Sequence, residues 1–590
     1  MRCGTDTSRD LIQISKRVKH EGESFLTIRL PDFSKDFESC LAKGRIDPTD
    51  FQNFGKLGAT PKLFRGMLDQ VFDRKSGELL QRPSIEAIRC IRQVCRMFGK
   101  IRQPCHPQRE RHCYEDFVAI DKEVGSKKLD ISYRDYSSLY FVFQYTYGRI
   151  CARLESELRA CDLVPRHGPG ATAERISGNR KFVLQRWPQR LEESFPSARY
   201  CISSYDKWED LQAINFSNPS EEMPVRVISV PKTAKGPRII AIEPVCMQYA
   251  QQSLLQRLVP LIESDPVARK ITRFTSQAYN QSLALSSSRT GAYATLDMKE
   301  ASDRVSLDMV CELFRSYPLL LDAILACRSQ TANVPGFGVI TLAKFASMGS
   351  ALCFPIEAMV FSTLVVASEL CRRTNGTHWK TATLTKIFKD SRYSVYGDDI
   401  IVPVEQVPSV MEMLRKFGNI VNVNKSFWTG KFRESCGVEA YDGEDVTPCY
   451  IRHPMPRNRK SMLDWSHLLT FRNQLYLKGY WHACKEIDSY INSNIGYIPT
   501  VHSTSPGVGR LTFMKYDCQR QNTHLHRPEV KTLVVRTRKR KDPLNGNPAL
   551  LKFFLGKQNQ ITSGFASQME LERTAVSRDT YIVREWVTPY

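Results

Sequence analysis

The run Tyr393-Ser394-Val395-Tyr396-Gly397-Asp398-Asp399-Ile400-Ile401-Val402-Pro403 constrains this chain more than any other. Two short β-prone, apolar stretches flank a Gly-Asp-Asp turn, the pattern of a β-hairpin. Adjacent carboxylates between apolar strands repel each other and lose hydration unless a cation neutralises them. A solvated turn is the ordinary alternative, and the surrounding sequence has to decide between the two.

With 590 residues, 42% of them hydrophobic, the chain has material for a large core and exceeds one ordinary compact domain; two to four subdomains are expected. Lysine and arginine number 84 against 62 acidic residues, a net charge of +22. Such an excess points to a polyanionic partner, with nucleic acid first and an anionic membrane surface second. The 18 cysteines are scattered and show no disulfide framework, as in a reducing cytoplasm. Cys105, His106, His112 and Cys113 lack the spacing of a common zinc motif and read as incidental. Cys90 and Cys95 read as packing residues. The N-terminus has no apolar signal core. The most membrane-like stretch, Ala351 to Leu370, is interrupted by Pro355, Glu357, Ser362, Thr363, Ser368 and Glu369, and reads as a buried core helix, with no membrane association expected.

Along the chain, Tyr133 to Leu158 predicts one long helix. A turn-rich segment follows, Pro165 to Thr172, including Gly168-Pro169-Gly170. Arg175, Arg180, Lys181 and Arg186 then interleave with Phe182 and Trp187; a track for single-stranded nucleic acid and a solvated loop fit equally well. Residues 225–244 predict two apolar strands bracketing a turn with Lys232, Lys235 and Arg238, three cations able to hold a triphosphate or merely to solvate a hairpin. An apolar strand ends at Asp297, and Ser302 reads as the N-cap of the next helix. Ser347-Met348-Gly349-Ser350 is a small-residue turn before the apolar helix, a place for close backbone approach to a ligand. A helix within 404–430 leads to Asn422-Val423-Asn424-Lys425, and strands are expected between Phe432 and His453. Residues 454–590 read as more helical and polar, with Arg536 to Lys541 as a basic loop or linker.

Taken together, these blocks fit fewer folds than each does alone. The chain offers a basic hairpin, a strand-end Asp297, a small-residue turn before a buried helix, the Asp398-Asp399 hairpin, and Lys425 after a further helix. Three carboxylates opposite three basic side chains suit phosphoryl transfer with two divalent ions about 3.5–4 Å apart. Mg²⁺ takes oxygen ligands, commonly a few carboxylates plus substrate phosphates, and Mn²⁺ is able to substitute.

In this order and with these residues the chain resembles template-directed polymerases, most closely the RNA-directed RNA polymerase (replicase) catalytic beta subunit of the small positive-strand RNA bacteriophages, the leviviruses. The resemblance rests on Val230-Pro231-Lys232 through Ile242-Glu243-Pro244, Asp297 through Ser306, Ser347-Met348-Gly349, Tyr396-Gly397-Asp398-Asp399-Ile400, and Phe432 through Gly437 with Val446-Thr447-Pro448 and Tyr450 to His453. It covers about 225–453, and Gly168 to Thr172 adds a weaker match. The resemblance implies an α+β right-hand polymerase fold: an N-terminal region and fingers over 1–245, a palm of antiparallel sheet flanked by helices over 246–453, and a thumb with a basic C-terminal region over 454–590.

It also implies roles. Asp297, Asp398 and Asp399 would bind two Mg²⁺ ions. Lys232, Lys235 and Arg238 would contact the incoming nucleoside triphosphate. Asp303 and Ser347 would recognise the ribose 2′-hydroxyl, with Gly349 allowing close approach. Lys425 would protonate pyrophosphate, and the 432–453 strands would support the priming end of the product. The implied partners are a single-stranded RNA template and product, the host elongation factors Tu and Ts, and a small-subunit ribosomal protein, in the cytoplasm of a bacterial host. Two other functions compete. A reverse transcriptase shares the Tyr-X-Asp-Asp hairpin but tends to place a bulky aromatic after the first Asp, where this chain has Met298-Lys299-Glu300-Ala301-Ser302-Asp303. A non-catalytic RNA-binding protein fits the charge, yet gives no reason for three acids in this order, because carboxylates repel phosphate.

Overall fold

Strict alternation along one strand organises the centre of the molecule. Within Tyr293–Lys299, Ala294, Leu296 and Met298 are buried in the largest core, while Thr295 and Asp297 turn to the opposite face. In this computed structural model, which describes residues 3–126, 131–374, 379–390, 392–539, 542–562 and 578–590, that strand is inner in a four-stranded antiparallel sheet. The order is Ser394–Tyr396, Asp399–Pro403, Tyr293–Lys299, Ile420–Val421. Ile400 and Val402 join the same core, so Ile401 and Asp399 share the other face with Thr295 and Asp297.

The core-side face is covered by helices. From Cys353 to Leu370 the helix Cys353–Thr374 is buried on nearly every side, its few polar residues included. It lies against the helices Tyr133–Arg159 and Val407–Lys416. Among the described residues it is the one helix long and apolar enough to cross a membrane, and 94% of its apolar window is buried inside the fold. The expected long helix from Tyr133 is present, opened by a capping box in which Ser132 and Asp135 satisfy each other's backbone N–H groups.

The basic hairpin, Val225–Thr233 with Gly236–Ile242, belongs to a second four-stranded sheet completed by Thr331–Val334 and Gly338–Thr341. A third sheet, Phe432–Ser435, Val438–Tyr441 and Glu444–Asp445, lies against the strands Tyr293–Lys299 and Asp399–Pro403 of the first. It shares its core with the N-terminal region: Phe427, Phe432, Tyr441 and Val446 pack with Phe25, Phe33, Phe37, Ile88 and Ile91. A buried ionic cluster reinforces that junction, with Arg92 paired to Glu439 and lying 3.3 Å from Glu38, and Arg96 3.5 Å from Glu439.

Three local expectations are corrected. Ser302 is not an N-cap: Ala301–Arg304 makes a single turn, Val305 is extended, and Ser306 caps Leu307–Phe314 by accepting from the Met309 N–H at 3.3 Å. Residues Arg536 to Lys539 form no loop but the end of the long strand Arg527–Lys539, because Arg578–Val587 supplies a full-length antiparallel partner; Arg540 and Lys541 lie outside the described residues, as does Ser391. The interleaved basic and aromatic segment is only partly a surface track. Arg175, Arg180 and Arg186 are exposed, but Lys181 and Trp187 are buried, with the Lys181 ammonium donating to the Gly168 carbonyl at 2.7 Å.

Candidate active site

The acidic hairpin forms as its residues dictate. Tyr396 pairs with Asp399 across a two-residue turn, with Gly397 at the first central position and φ +61°. A Cβ there would lie 2.2 Å from the Phe354 ring, so the turn needs glycine for both its angle and its space. The next strand sets Asp399 directly opposite Asp297 in antiparallel register. Paired residues in such a ladder point to the same face with Cα atoms about 4.5–5.5 Å apart. Two carboxylates separated by a long stretch of sequence thus become neighbours, with Asp398 exposed in the adjoining turn.

Their environment is strongly acidic. Burial raises the Asp399 carboxyl to about 7, helped by the charges of Asp398, Glu434 and Asp297 and opposed by a hydrogen bond from the Cys436 side chain; the Cys436 N–H also donates to Asp399 Oδ2 at 3.1 Å. Burial also lifts Asp297, against the pull of Lys425 and with a further push from Asp398. One oxygen of Asp297, Oδ2, accepts from Lys425 Nζ at 3.2 Å and from Asn422 Nδ2 at 3.0 Å. Lys425 sits in a single turn, Val423–Lys425, immediately after the edge strand Ile420–Val421. Glu357, on the buried helix, is pushed well above the carboxylate range by burial and by Asp398 and Asp303.

The basic hairpin faces this cluster unevenly. Lys232 feels Arg238, Lys425, Asp297 and Asp398, and burial holds its ammonium below the usual lysine value. Lys235, at the hairpin tip, pairs instead with Asp32 on the N-terminal helix Leu30–Lys43, so the expected convergence of three cations is a convergence of two. Its tip position, beyond the register shift between Val230 and Thr233, carries it away from the line of Lys232 and Arg238.

The Ser-Met-Gly turn docks on that hairpin. The Ala241 N–H donates to the Met348 carbonyl at 2.9 Å, and a Cβ on Gly349, whose φ is +133°, would lie 1.9 Å from the Ala241 oxygen. The close approach that Gly349 permits is therefore to the protein's own backbone. Ser347 Oγ is buried without a hydrogen-bond partner. Asp303 lies in the turn after the central strand, its carboxylate 3.0 Å from the ammonium of Lys344.

Sequence reasoning passed over Asn422, Cys436, Glu434, Glu357 and Lys344. Asn422 stands three residues before Lys425, a spacing that could have signalled a shared target. A backbone N–H such as that of Cys436 leaves no trace in composition. Among the described residues, Cys105, His106, His112 and Cys113 included, no three His, Cys, Asp or Glu side chains form a ready-made cage. The aspartates still suit Mg²⁺. That ion needs only one or two protein carboxylates beside substrate phosphates, and here burial, with neighbouring carboxylates, raises two carboxyls, and one lysine meets Asp297 directly.

A family model described as "RNA replicase, beta-chain" matches residues 222–482, which include every site residue above. The chain is 28% identical over 361 residues to the RNA-directed RNA polymerase subunit beta of Escherichia virus Qbeta, covering 58% of this chain and 55% of that protein. It is 33% identical over 399 residues to the subunit of the same name from Qbeta virus (strain MX1), covering 63% and 60%. It is 33% identical over 232 residues to the RNA-directed RNA polymerase beta chain of Escherichia phage MS2, covering 39% and 38%. The match thus spans less than two thirds of each of these relatives. A solved chain described as "RdRp complex" overlaps 62% of this chain and 34% of its own length at TM-score 0.37 and 11% identity, too slight a likeness to assign a fold. Over residues 222–482 the chain is thus similar to the RNA replicase beta-chain family.

Proposed function

We propose that the chain is an RNA-directed RNA polymerase that copies a single-stranded viral RNA by nucleotidyl transfer. One observation carries the reading: Asp399 faces Asp297 across the central sheet, with Asp398 beside them and Lys232 within electrostatic reach of Asp297 and Asp398. Two Mg²⁺ ions held by these aspartates would lower the pKa of a primer 3′-hydroxyl and offset charge on the departing pyrophosphate.

The chain's own residues supply the rest. Lys232 and Arg238 bind the triphosphate and balance charge developing on it. Lys235 joins them only by leaving Asp32. Asp303 and Ser347 read the ribose 2′-hydroxyl, Ser347 through a hydroxyl that has no protein partner. Asn422 and Lys425 orient Asp297, and Lys425, once released from it, donates a proton to pyrophosphate. The third sheet fixes the Cys436 N–H on Asp399 and supports the priming end of the product.

In this reading 246–453 is a palm, 1–245 carries the fingers and 454–590 the thumb. Host elongation factors Tu and Ts, a small-subunit ribosomal protein and the bacterial cytoplasm are proposed on family resemblance alone. The test is divalent-dependent incorporation of labelled nucleotide on an RNA template. Incorporation that persists in Asp398→Asn and Asp297→Ala would sink the assignment.

A further inference from the structure

The most deeply buried lysine near the site is one the reaction above does not use. The Lys344 side chain is wholly buried (0% exposed), yet it ends in an ammonium 3.0 Å from Asp303 Oδ1. The same nitrogen lies 3.4 Å from the centroid of the Phe117 ring. Burying a charge is costly, and an apolar side chain of similar volume commonly serves stability as well or better. A lysine at such a place is better explained by what its charge holds than by what it fills.

What it holds is positioned from two sides. The backbone N–H groups of Ala343 and Lys344 both donate to the carboxylate of Asp121, at 3.1 to 3.2 Å. Asp121 and Phe117 lie on one helix, Pro107–Ser126, whose Glu123 also takes Arg304, the neighbour of Asp303, at 3.1 Å. That helix reaches the basic hairpin as well, through Arg109 to the Ala234 carbonyl at 2.9 Å. The Asp303 carboxylate is thereby fixed at one oxygen while 21% of its side chain stays exposed.

We propose that Lys344 is a specificity-determining positioning residue: it orients the Asp303 carboxylate so that its free oxygen accepts the 2′-hydroxyl of the incoming nucleotide. This rests on the reading of Asp303 as a ribose contact. A 2′-deoxyribonucleotide has no 2′-hydroxyl to donate, so Lys344 acts on ribonucleotides alone. A purely structural lysine would affect both sugars alike.

The experiment measures kcat and KM for a ribonucleoside triphosphate and its 2′-deoxy counterpart, using the full chain in its active assembly on an RNA template. In K344M the ribonucleotide KM rises by about tenfold, as for a lost charge-assisted hydrogen bond, and the deoxyribonucleotide KM holds, so the discrimination ratio falls by the same factor. An unchanged ratio in folded K344M, or an equal loss for both sugars, overturns the inference. D303N separates the two layers. If D303N keeps full discrimination, the ribose reading of Asp303 itself fails; if D303N loses it and K344M does not, only the role of Lys344 fails. Should K344M not fold, F117L keeps the ammonium and removes its ring platform. The ratio then falls a few fold, and an unchanged ratio in F117L overturns the inference.

Discussion

The two hairpins that face each other at the site are built differently. The acidic hairpin is locked on both faces: Val395, Ile400, Ile401 and Val402 are all fully buried, and its turn glycine touches an aromatic ring. The basic hairpin is largely half-exposed, its register shifts between Val230 and Thr233, and side chains from the N-terminal region hold its tip. The difference follows chemistry. In the proposed reaction, carboxylates sharing an ion would need fixed positions, which a packed core provides, whereas cations meeting a mobile triphosphate would work from a surface able to adjust.

The sharpest way to break this contrast is to neutralise the locked side. Asp398→Asn or Asp297→Ala is expected to cut nucleotide incorporation by about a thousandfold or more, against effects of about tenfold on the basic side. Single-turnover incorporation checks this. Next in size is Gly397→Ala, which forces a side chain into the left-handed region and into Phe354. A loss of about 2–4 kcal/mol is expected in denaturant unfolding. No comparable loss should follow substitution at the basic hairpin tip.

A third test uses pH. Because the folded chain raises Asp399 to about 7, above its ordinary value near 4, the folded state holds a proton that the unfolded state releases. Without divalent ions, stability is greatest below about pH 4 for this group and declines as pH rises toward 7, by about 4 kcal/mol. Asp399→Asn should flatten that slope in thermal melts, and added Mg²⁺ should offset it. The smallest effects sharpen the comparison within the basic hairpin. Lys232→Ala and Arg238→Ala should raise the nucleotide KM by about tenfold, while Lys235→Ala, which breaks only the contact with Asp32, should change it by about twofold or less.

Much of the site was legible in the sequence because its strands alternate and its turns carry unambiguous residues. The hairpin at Gly397, the strand bearing Asp297 and the buried helix after Gly349 all lie where periodicity and turn chemistry put them. The misreadings arose where a partner distant in sequence decided the outcome. The run from Arg536 looked like a loop because its charge says nothing of the strand Arg578–Val587 that pairs with it. Lys181 looked solvent-facing because two glycine carbonyls wait for it inside the fold. Lys235 looked like a third phosphate contact because its counter-ion, Asp32, lies some two hundred residues earlier.

By itself the sequence determined the acidic and basic blocks, their order and the strands that carry the aspartates, since these depend on local alternation and on glycines no other residue can replace. Tertiary structure alone decided that Asp399 stands opposite Asp297, that Lys425 and Asn422 close on one oxygen of that aspartate, and that a buried lysine steadies Asp303. Register between strands and the burial of charge are set by contacts among segments far apart in the chain, and such contacts leave no periodicity to read.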